Sequence, residues 1–377
     1  MKDANTGKGL ERIEPRKPII KERRNKKEMS KAATIETRRF LTILLLTAML
    51  VTMIPVALFV LPHSVLAGDN NTTSSHVSGN FTVNSGEPVV NSLELHLHEG
   101  GSTTSMSPTT EFEMWVNVTE NNTFEDIDTI VLKLYYDANG TYTDGEAEGA
   151  TDNNNTCAII TYTNLGSDTW VLSNSSTTWA VATGSNAPAG TATTGDFKFH
   201  FTVSKVALET IAPAEWHAYA IATDDASGEG FNHQEGLSMN WYGEITSVTN
   251  TVTFGTTTLG QVRDASGNIS ATYICNGDYD EQVLTTSTWN GTSENLTLDE
   301  DGSPGDSAFT IEADDDASTA DCAFVKATAY NSIDATGTYT AEGGNLEDTN
   351  TLWLTLGATG IPAETYSGTV YFAIANR

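Results

Sequence analysis

The pattern of apolar and polar residues after position 87 has a period of two. In residues 111–119, Phe112, Met114, Val116 and Val118 alternate with polar neighbours. Successive side chains of a β-strand point to opposite faces, so this alternation predicts a strand with one buried face.

The same alternation recurs in residues 127–137 and 195–203, and further short apolar segments lie between stretches rich in turn residues. About seven short strands of this kind predict an antiparallel β-sandwich of immunoglobulin-like type, although the Cys…Trp…Cys pattern of true immunoglobulin domains is missing. One segment, 204–213, has the composition of a two-turn helix that ends at Pro213.

A second set of alternating segments fills residues 251–377 and predicts a second sandwich. The sequence therefore indicates an all-β protein with two antiparallel β-sandwich domains, residues 87–246 and 247–377. A chain of this length has enough residues for two hydrophobic cores.

The second domain carries a set of strand residues and turn glycines. They are Val252, Phe254, Gly255, Leu259, Gly260, Tyr273, Asn276 and Gly277, followed by the endings LWLTLG and YSGTVYFAIAN. In these features the last third of the chain resembles the β-sandwich domains of exported surface-layer and filament proteins of archaea and bacteria, with camelysin-type filament subunits as the nearest comparison. The resemblance implies a structural role in the cell envelope.

Residues 40–61 form an apolar run without a charged residue. About 20 such residues are long enough to cross a bilayer. The preceding residues 1–39 form a polar tail with 13 of the 19 Lys and Arg residues, a bias that keeps this side of a membrane segment in the cytoplasm. We therefore expect the remainder of the chain to be extracellular or at the cell surface.

The apolar run is followed by Val65-Leu-Ala67 before Gly68, a small-residue pattern of the kind that signal peptidase cleaves. Residues 40–67 are therefore a cleaved signal peptide or, since the run is long, an uncleaved membrane anchor. Residues 68–86, rich in Asn, Ser and Thr, are predicted to be a flexible extension.

The exported part is strongly acidic. Residues 1–39 hold 6 of the 49 Asp and Glu, which leaves 43 acidic against 6 basic residues for the rest of the chain. Binding to nucleic acid or anionic lipid depends on clustered Lys and Arg, so the charge excludes both as partners of the exported part.

Acceptor sequons for N-glycosylation are frequent. They occur at Asn70, Asn71, Asn80, Asn117, Asn121, Asn139, Asn154, Asn174, Asn268, Asn290 and Asn295. A chain rich in Asn and Thr forms sequons by chance, but in an exported chain we expect several of them to carry glycans.

One acidic loop is a candidate calcium site. Oxygen donors fall at positions 1, 3, 5, 7 and 12 of a calcium-loop pattern, at Asp137, Asn139, Thr141, Thr143 and Glu148. Position 6 is Tyr142 where such loops have glycine, and the flanking segments read as strands, so an acidic hairpin loop is the alternative. The acidic runs 299–301 and 314–316 are weaker calcium candidates.

The segment LELHLHE places Leu93, Leu95 and Leu97 on one face of a strand, and Glu94, His96 and His98 on the other. Two imidazoles at i and i+2 of a strand can reach one zinc or copper ion, with a carboxylate as third ligand. The alternative is a pair of exposed histidines on the polar face of an amphipathic strand.

Three cysteines are too few for a fold built on disulfides. Cys275 and Cys322 fall in the same predicted domain and could form a disulfide, which would leave Cys157 without a partner.

No catalytic set is recognisable, so the chain is interpreted as not being an enzyme. Asp306-Ser307 follows a glycine as in some esterases, yet no histidine follows His233 to act as the base. Residues 334–337 approach an aspartic-protease triplet but contain an inserted residue and have no second copy.

Trp115 is predicted on the outer face of its strand, where an exposed indole could stack on a sugar ring. Together these features favour an exported, glycosylated structural protein of the cell envelope, a surface-layer or extracellular filament subunit that associates with itself or with other envelope proteins. A carbohydrate-binding adhesin is the alternative, and a secreted hydrolase with an unrecognised site is the third hypothesis.

The mature N-terminus is directly testable. Because the Val65-Leu-Ala67 pattern precedes Gly68, intact-protein mass spectrometry of the exported protein should give the mass of residues 68–377 plus any glycans. A product that retains residues 1–39 would instead establish the membrane anchor.

Overall fold

The computed structural model describes Gly79 and residues 86–164, 166–173, 179–341 and 344–377. The predicted tail 1–39, the signal or anchor segment 40–67 and nearly all of the extension 68–86 lie outside the described residues. In the part that is described, no helix is long and apolar enough to cross a membrane. The described residues from 86 onward belong to one compact unit.

The first ten strands form two sheets. They are β1 (Val89–Leu97), β2 (Ser105–Met106), β3 (Glu111–Thr119), β4 (Ile127–Asp137), β5 (Cys157–Asn164), β6 (Asp168–Leu172), β7 (Ala180–Val181), β8 (Thr194–Thr202), β9 (Glu215–Asp224) and β10 (Glu229–Met239). One sheet has the order β1-β3-β8-β7, and the other has the order β2-β10-β9-β4-β5-β6. All pairs are antiparallel except β2 with β10.

The remaining strands form two further sheets. They are β11 (Gly243–Val248), β12 (Ala265–Cys275), β13 (Tyr279–Thr285), β14 (Thr288–Asn290), β15 (Asn295–Leu298), β16 (Ala308–Asp314), β17 (Ala323–Phe324), β18 (Asn331–Gly337), β19 (Leu346–Leu356) and β20 (Val370–Asn376). The larger sheet has the order β11-β12-β19-β16-β15-β14, with β17 also paired to β16, and the smaller has the order β18-β13-β20.

Helices are short in the described residues: a 3-10 turn at Phe124–Asp126 and a four-residue helix, α1 (Glu146–Gly149). The all-β prediction is confirmed, and the strands read from the alternating patterns at 111–119, 127–137 and 195–203 correspond to β3, β4 and β8.

The alternation of apolar and polar residues in β3 matches an alternation of buried and less buried side chains. Phe112, Met114, Val116 and Val118 are buried, and β8 contributes Phe197, Phe199 and Phe201 to the same core. Strands of the six-stranded sheet contribute Ile130, Leu132, Leu134 and Trp216 to the same core. Full burial of each large apolar side chain stabilises the fold by about 1.5–3 kcal/mol, so this core is the main source of stability for the first ten strands.

A second core lies among the later strands. Tyr273, Phe309, Ile311 and Leu352 are buried there, and Phe372 of the last strand packs with them. The C-terminal strand β20 is therefore part of the core, as its alternating pattern indicates.

Two details differ from the sequence prediction. Leu97, expected to point inward, is 45% exposed at the end of β1. Residues 240–246, assigned to the first domain, include the start of β11, which pairs with β12 in the second set of sheets. The change from one core to the other therefore comes a few residues before the predicted boundary at 246.

The predicted helix at 204–213 is wrong, because the segment has no helix in the structure. Its Val206, Ala207 and Leu208 are all buried, which leaves no polar face for a surface helix. Three consecutive carbonyl groups accept hydrogen bonds from distant side chains: Val206 from Asn155, Ala207 from Asn276 and Leu208 from the indole of Trp216. A helix would need those carbonyls for its own backbone bonds.

Two buried asparagines join the segments that surround the first core to those that surround the second. Asn155 Nδ2 donates to the carbonyls of Val206 at 2.8 Å and Thr340 at 2.9 Å. Asn276 Nδ2 donates to the carbonyls of Ala207 at 2.7 Å and Asn240 at 2.9 Å.

The backbone of Asn276 strengthens this joint. Its carbonyl accepts the Glu209 N–H at 2.9 Å, and its side-chain Oδ1 accepts the Tyr242 N–H at 2.6 Å. Buried backbone groups need partners, and the two asparagines, which we call the asparagine joint, satisfy such groups in the segments around both cores.

Glu281 of β13 is a buried acid in the second core. Its carboxylate accepts hydrogen bonds from the hydroxyl of Tyr273 and, at 2.5 Å, from Nδ2 of Asn350. Burial raises the pKa of Glu281 from 4.5 to about 6, although the two donated hydrogen bonds act in the opposite direction.

This raised pKa predicts a dependence of stability on pH. Between pH 4.5 and 6 the folded state holds the proton more tightly than the unfolded state, so the contribution is present below 4.5 and is lost as pH rises through 6. Relative to Glu281→Gln, the unmodified protein should lose about 2 kcal/mol of unfolding free energy over this interval. The measurement is urea unfolding at a series of pH values.

Glu347→Gln, at an exposed position of β19, is the matched control and should follow the unmodified protein at every pH. A difference between the unmodified protein and Glu281→Gln that stays constant with pH would contradict the prediction.

Candidate functional site

The outward face of the β1-β3-β8-β7 sheet carries a group of imidazoles and carboxylates. We call His98, Glu111, Glu113 and His200 the histidine–glutamate cluster. Glu111 and Glu113 belong to the central strand β3 and have the parity opposite to its buried residues. The register pairs Glu113 with His200 of β8, while Leu97 of β1 pairs with Phe112, which brings His98 beside Glu111.

The contacts within the cluster are short. His98 and His200 stack with ring centroids 4.0 Å apart and an interplanar angle of 16°. Glu111 Oε2 lies 3.2 Å from His200 Nε2 and 4.0 Å from His98 Nε2. One ligand atom from each of His98, Glu111 and His200 lies within 4.8 Å of the other two.

Neighbouring groups fix the orientation of both rings. His200 Nδ1 is 2.7 Å from the carbonyl oxygen of Thr183, and His98 Nδ1 is 3.1 Å from Glu113 Oε1. The second oxygen of Glu113 accepts the Trp115 indole N–H at 2.8 Å. Partial burial opposes ionisation of Glu113, but these hydrogen bonds from Trp115 and His98 hold its pKa below the ordinary value.

The structure does not bring His96 and His98 together as a pair of metal ligands, as the sequence pattern suggested. His96 stacks on Trp115 at a centroid distance of 4.0 Å, and its Nε2 lies 3.2 Å from Glu94 Oε2. His98 instead has His200 as its imidazole neighbour. The alternation of residues 195–203 puts His200 opposite the phenylalanines of that strand. The sequence could not pair His200 with His98, because nothing local shows that β1 and β8 flank the same strand.

Trp115 does not have a free ring. His96 of β1 stacks on it, and the ammonium group of Lys198 on β8 lies 3.7 Å from the centroid of the indole. The cation–π contact and the stacked imidazole occupy the surface that a sugar would need. This arrangement removes the observation on which the adhesin hypothesis depended.

The predicted calcium loop has other partners for two of its donors. The two Asp137 oxygens accept the backbone N–H groups of Asn139 at 2.8 Å and Thr141 at 2.9 Å. Glu148 Oε1 accepts the hydroxyl hydrogen of Tyr219 at 3.1 Å. Asn139, Thr141 and Thr143 are exposed.

The carbonyl groups at the end of the same loop already bind a cation. Lys133 Nζ donates to the carbonyl oxygens of Ala147 at 2.8 Å, Glu148 at 3.1 Å and Ala150 at 3.0 Å. An ammonium group thus neutralises the C-terminal end of helix α1, a place that attracts positive charge.

The two weaker acidic runs have local structural contacts. Carboxylates of the three aspartates 314–316 lie within 4.8 Å of one another, with Asp314 buried and its pKa raised by that burial. Asp299 Oδ1 accepts the Asp301 N–H at 3.0 Å, and Glu300 Oε1 accepts the Ala327 N–H at 2.8 Å. Asp299 therefore stabilises its own turn, and Glu300 connects the run to the segment at Ala327.

Sequon asparagines differ in accessibility. Those with exposed side chains are Asn121, Asn139, Asn268, Asn290 and Asn295. Asn117 is half-buried, and its Nδ2 donates to Asp196 at 2.6 Å. Asn154 is 1% exposed, so the folded chain has no room for a glycan there. Asn70, Asn71, Asn80 and Asn174 lie outside the described residues.

The three cysteines are free, so the Cys275–Cys322 disulfide is absent from the structure. The register through β17, β16 and β19 places Ala323, the neighbour of Cys322, level with Gly267 of β12. Gly267 is eight residues from Cys275, roughly 26 Å along an extended strand at about 3.3 Å per residue. A disulfide requires Cα atoms within about 7 Å.

The weak esterase-like motif has structural contacts as well. Ser307 Oγ donates to the carbonyl of Gly360 at 2.7 Å, and Asp306 accepts a hydrogen bond from Thr359. Within the described residues, neither Asp306 nor Ser307 contacts a histidine. The Ser307 hydroxyl instead connects its own loop to the loop of Gly360.

No protein-family model matches this chain, and no curated protein sequence matches it.

Proposed function

We propose that the chain is an exported structural protein of the cell envelope, a surface-layer or extracellular filament subunit that associates with itself or with other envelope proteins. We also propose that its two cores correspond to two antiparallel β-sandwiches of immunoglobulin-like type, which follow a signal peptide or membrane anchor. The all-β architecture and the division of charge at the apolar run 40–61 support this assignment.

The asparagine joint is the observation that carries the proposal. A subunit of an ordered layer or filament must hold a fixed shape, because each contact with a neighbour defines the position of the next subunit. Asn155 and Asn276 connect the segments around the two cores through buried hydrogen bonds. Two modules that moved independently would not need such bonds, since water would satisfy the same groups.

The negative charge and the exposed sequons of the surface are suited to a hydrated envelope layer. Residues after position 39 include only six cationic side chains, and 43 acidic residues accompany them. The exposed sequons Asn121, Asn139, Asn268, Asn290 and Asn295 are positions where we propose glycans. Calcium is the cation that we propose for the acidic loops.

The proposal predicts an ordered assembly at the cell surface. Immunogold electron microscopy of producing cells and of their culture medium, with antibodies against residues 87–377, should label a two-dimensional lattice or filaments. Label on dispersed particles without order would contradict the proposal.

Binding of the purified protein to a glycan array distinguishes the structural subunit from the adhesin alternative. Because the Trp115 ring is covered by His96 and Lys198, we expect no specific sugar to bind. Specific binding that is lost in Trp115→Ala would favour the adhesin instead.

A further inference from the structure

The geometry points to a site for a divalent transition-metal ion of the zinc class, bound by Nε2 of His98, Nε2 of His200 and a carboxylate oxygen of Glu111. This inference does not depend on the envelope role proposed above. It follows from the position of one nitrogen of each imidazole beside the same carboxylate.

The tautomer of His200 is fixed by a backbone group. A carbonyl oxygen can only accept a hydrogen bond, so the 2.7 Å contact with Thr183 requires a proton on Nδ1 of His200. In the neutral ring Nε2 then carries the lone pair. That nitrogen faces Glu111 Oε2 at 3.2 Å, which is also an acceptor.

His98 has the same arrangement with a carboxylate in place of the carbonyl. Glu113 Oε1 lies 3.1 Å from Nδ1 of His98, and Glu113 is itself held by the Trp115 indole. A proton on Nδ1 leaves the lone pair on Nε2, 4.0 Å from the same Glu111 oxygen. Histidines that bind metals commonly donate their other ring nitrogen to a carboxylate or a carbonyl in this way.

Nε2 of each imidazole therefore lies near the same carboxylate oxygen, and in a neutral ring with its proton on Nδ1 each Nε2 is an acceptor, as the carboxylate is. One divalent cation would satisfy all three acceptors together.

The donor set selects the class of ion. Two imidazoles and one carboxylate form a ligand set used for zinc, whereas calcium and magnesium prefer oxygen ligands alone. Zinc binds nitrogen and oxygen at about 2.0–2.1 Å, which places neighbouring tetrahedral ligands about 3.3 Å apart. The His200–Glu111 distance of 3.2 Å agrees with this. The exposed His98 ring must approach Glu111 by roughly 0.7 Å and turn out of its stack with His200, because the in-plane lone pairs of two stacked rings run nearly parallel.

The metal would connect the edge of the sheet to its interior. β1 is the terminal strand in the order β1-β3-β8-β7, and His98 follows its last residue, whereas His200 belongs to β8 on the other side of β3. Binding to the folded state alone stabilises that state, so the ion should raise the melting temperature.

Isothermal titration of the protein, made without a histidine tag, with ZnCl2 tests the inference. We expect one ion per folded chain, and a loss of affinity of at least about tenfold in His98→Gln, Glu111→Gln and His200→Gln. Glu113→Gln, which alters the group that orients His98, should weaken binding by about tenfold as well. Excess CaCl2 should not compete.

His96→Gln is the matched control, since His96 lies two residues from His98 on the same strand and stacks on Trp115 instead. We expect its affinity for Zn2+ to stay within about twofold of the unmodified value, because a residue outside the ligand set contributes little. His98 and Glu111 are substantially exposed, so their variants retain the fold even if His200→Gln does not.

Absence of Zn2+ binding would overturn the inference, and so would binding that His98→Gln and Glu111→Gln leave intact. Equal loss of affinity in His96→Gln would also overturn it, in favour of a site on the adjacent histidines of β1. A zinc-dependent rise in melting temperature that is present in His96→Gln and absent in His98→Gln would support it independently.

Discussion

The side-chain amides of Asn155 and Asn276 connect the segments around the two cores, and the rest of the structure depends on this connection. Each amide donates to two backbone carbonyls that come from different parts of the chain, and each donor is buried. A buried carbonyl without a donor costs about 1–3 kcal/mol of unfolding free energy. Replacing either asparagine by alanine would leave two buried carbonyls without their donor, so this cost would arise twice. The segment 204–211 lies at the centre of this arrangement, because its carbonyls accept from both asparagines and from Trp216.

Four of the six cationic residues after position 39 make contacts within the fold. Lys133 binds three carbonyls, Lys198 lies over Trp115, and Arg263 makes two hydrogen bonds to Glu312 at 2.8 and 2.6 Å. Lys205 pairs with Glu244. Because these cations are engaged in local contacts, the outward potential is set by the carboxylates, and the surface should attract cations from solution. The histidine–glutamate cluster adds two imidazoles to that background. Imidazole ligands favour ions of the zinc class over calcium and magnesium.

The sequence predicted what depends on local periodicity. The alternation in β3 and β8 follows from burial of one face, and the structure places Phe112, Met114 and Phe199 in the core as expected. Partners that are distant in sequence could not be predicted. Residues 204–213 have helix-forming composition, but their backbone groups bond to side chains far away in the chain. His98 was paired with His96 because they are neighbours in sequence, whereas the topology brings His200 to it from a strand about a hundred residues later.

The central claim is that the asparagine joint makes the two cores unfold as one body, and differential scanning calorimetry tests it most directly. The unmodified protein should give a single transition. In Asn276→Ala the carbonyls of Ala207 and Asn240 and the N–H of Tyr242 lose their partner, so the transition should move to lower temperature and separate into two. Asn250→Ala, at an exposed position that is not a sequon, should melt like the unmodified protein. Two separate transitions in the unmodified protein, or an Asn276→Ala variant that melts like Asn250→Ala, would contradict the account.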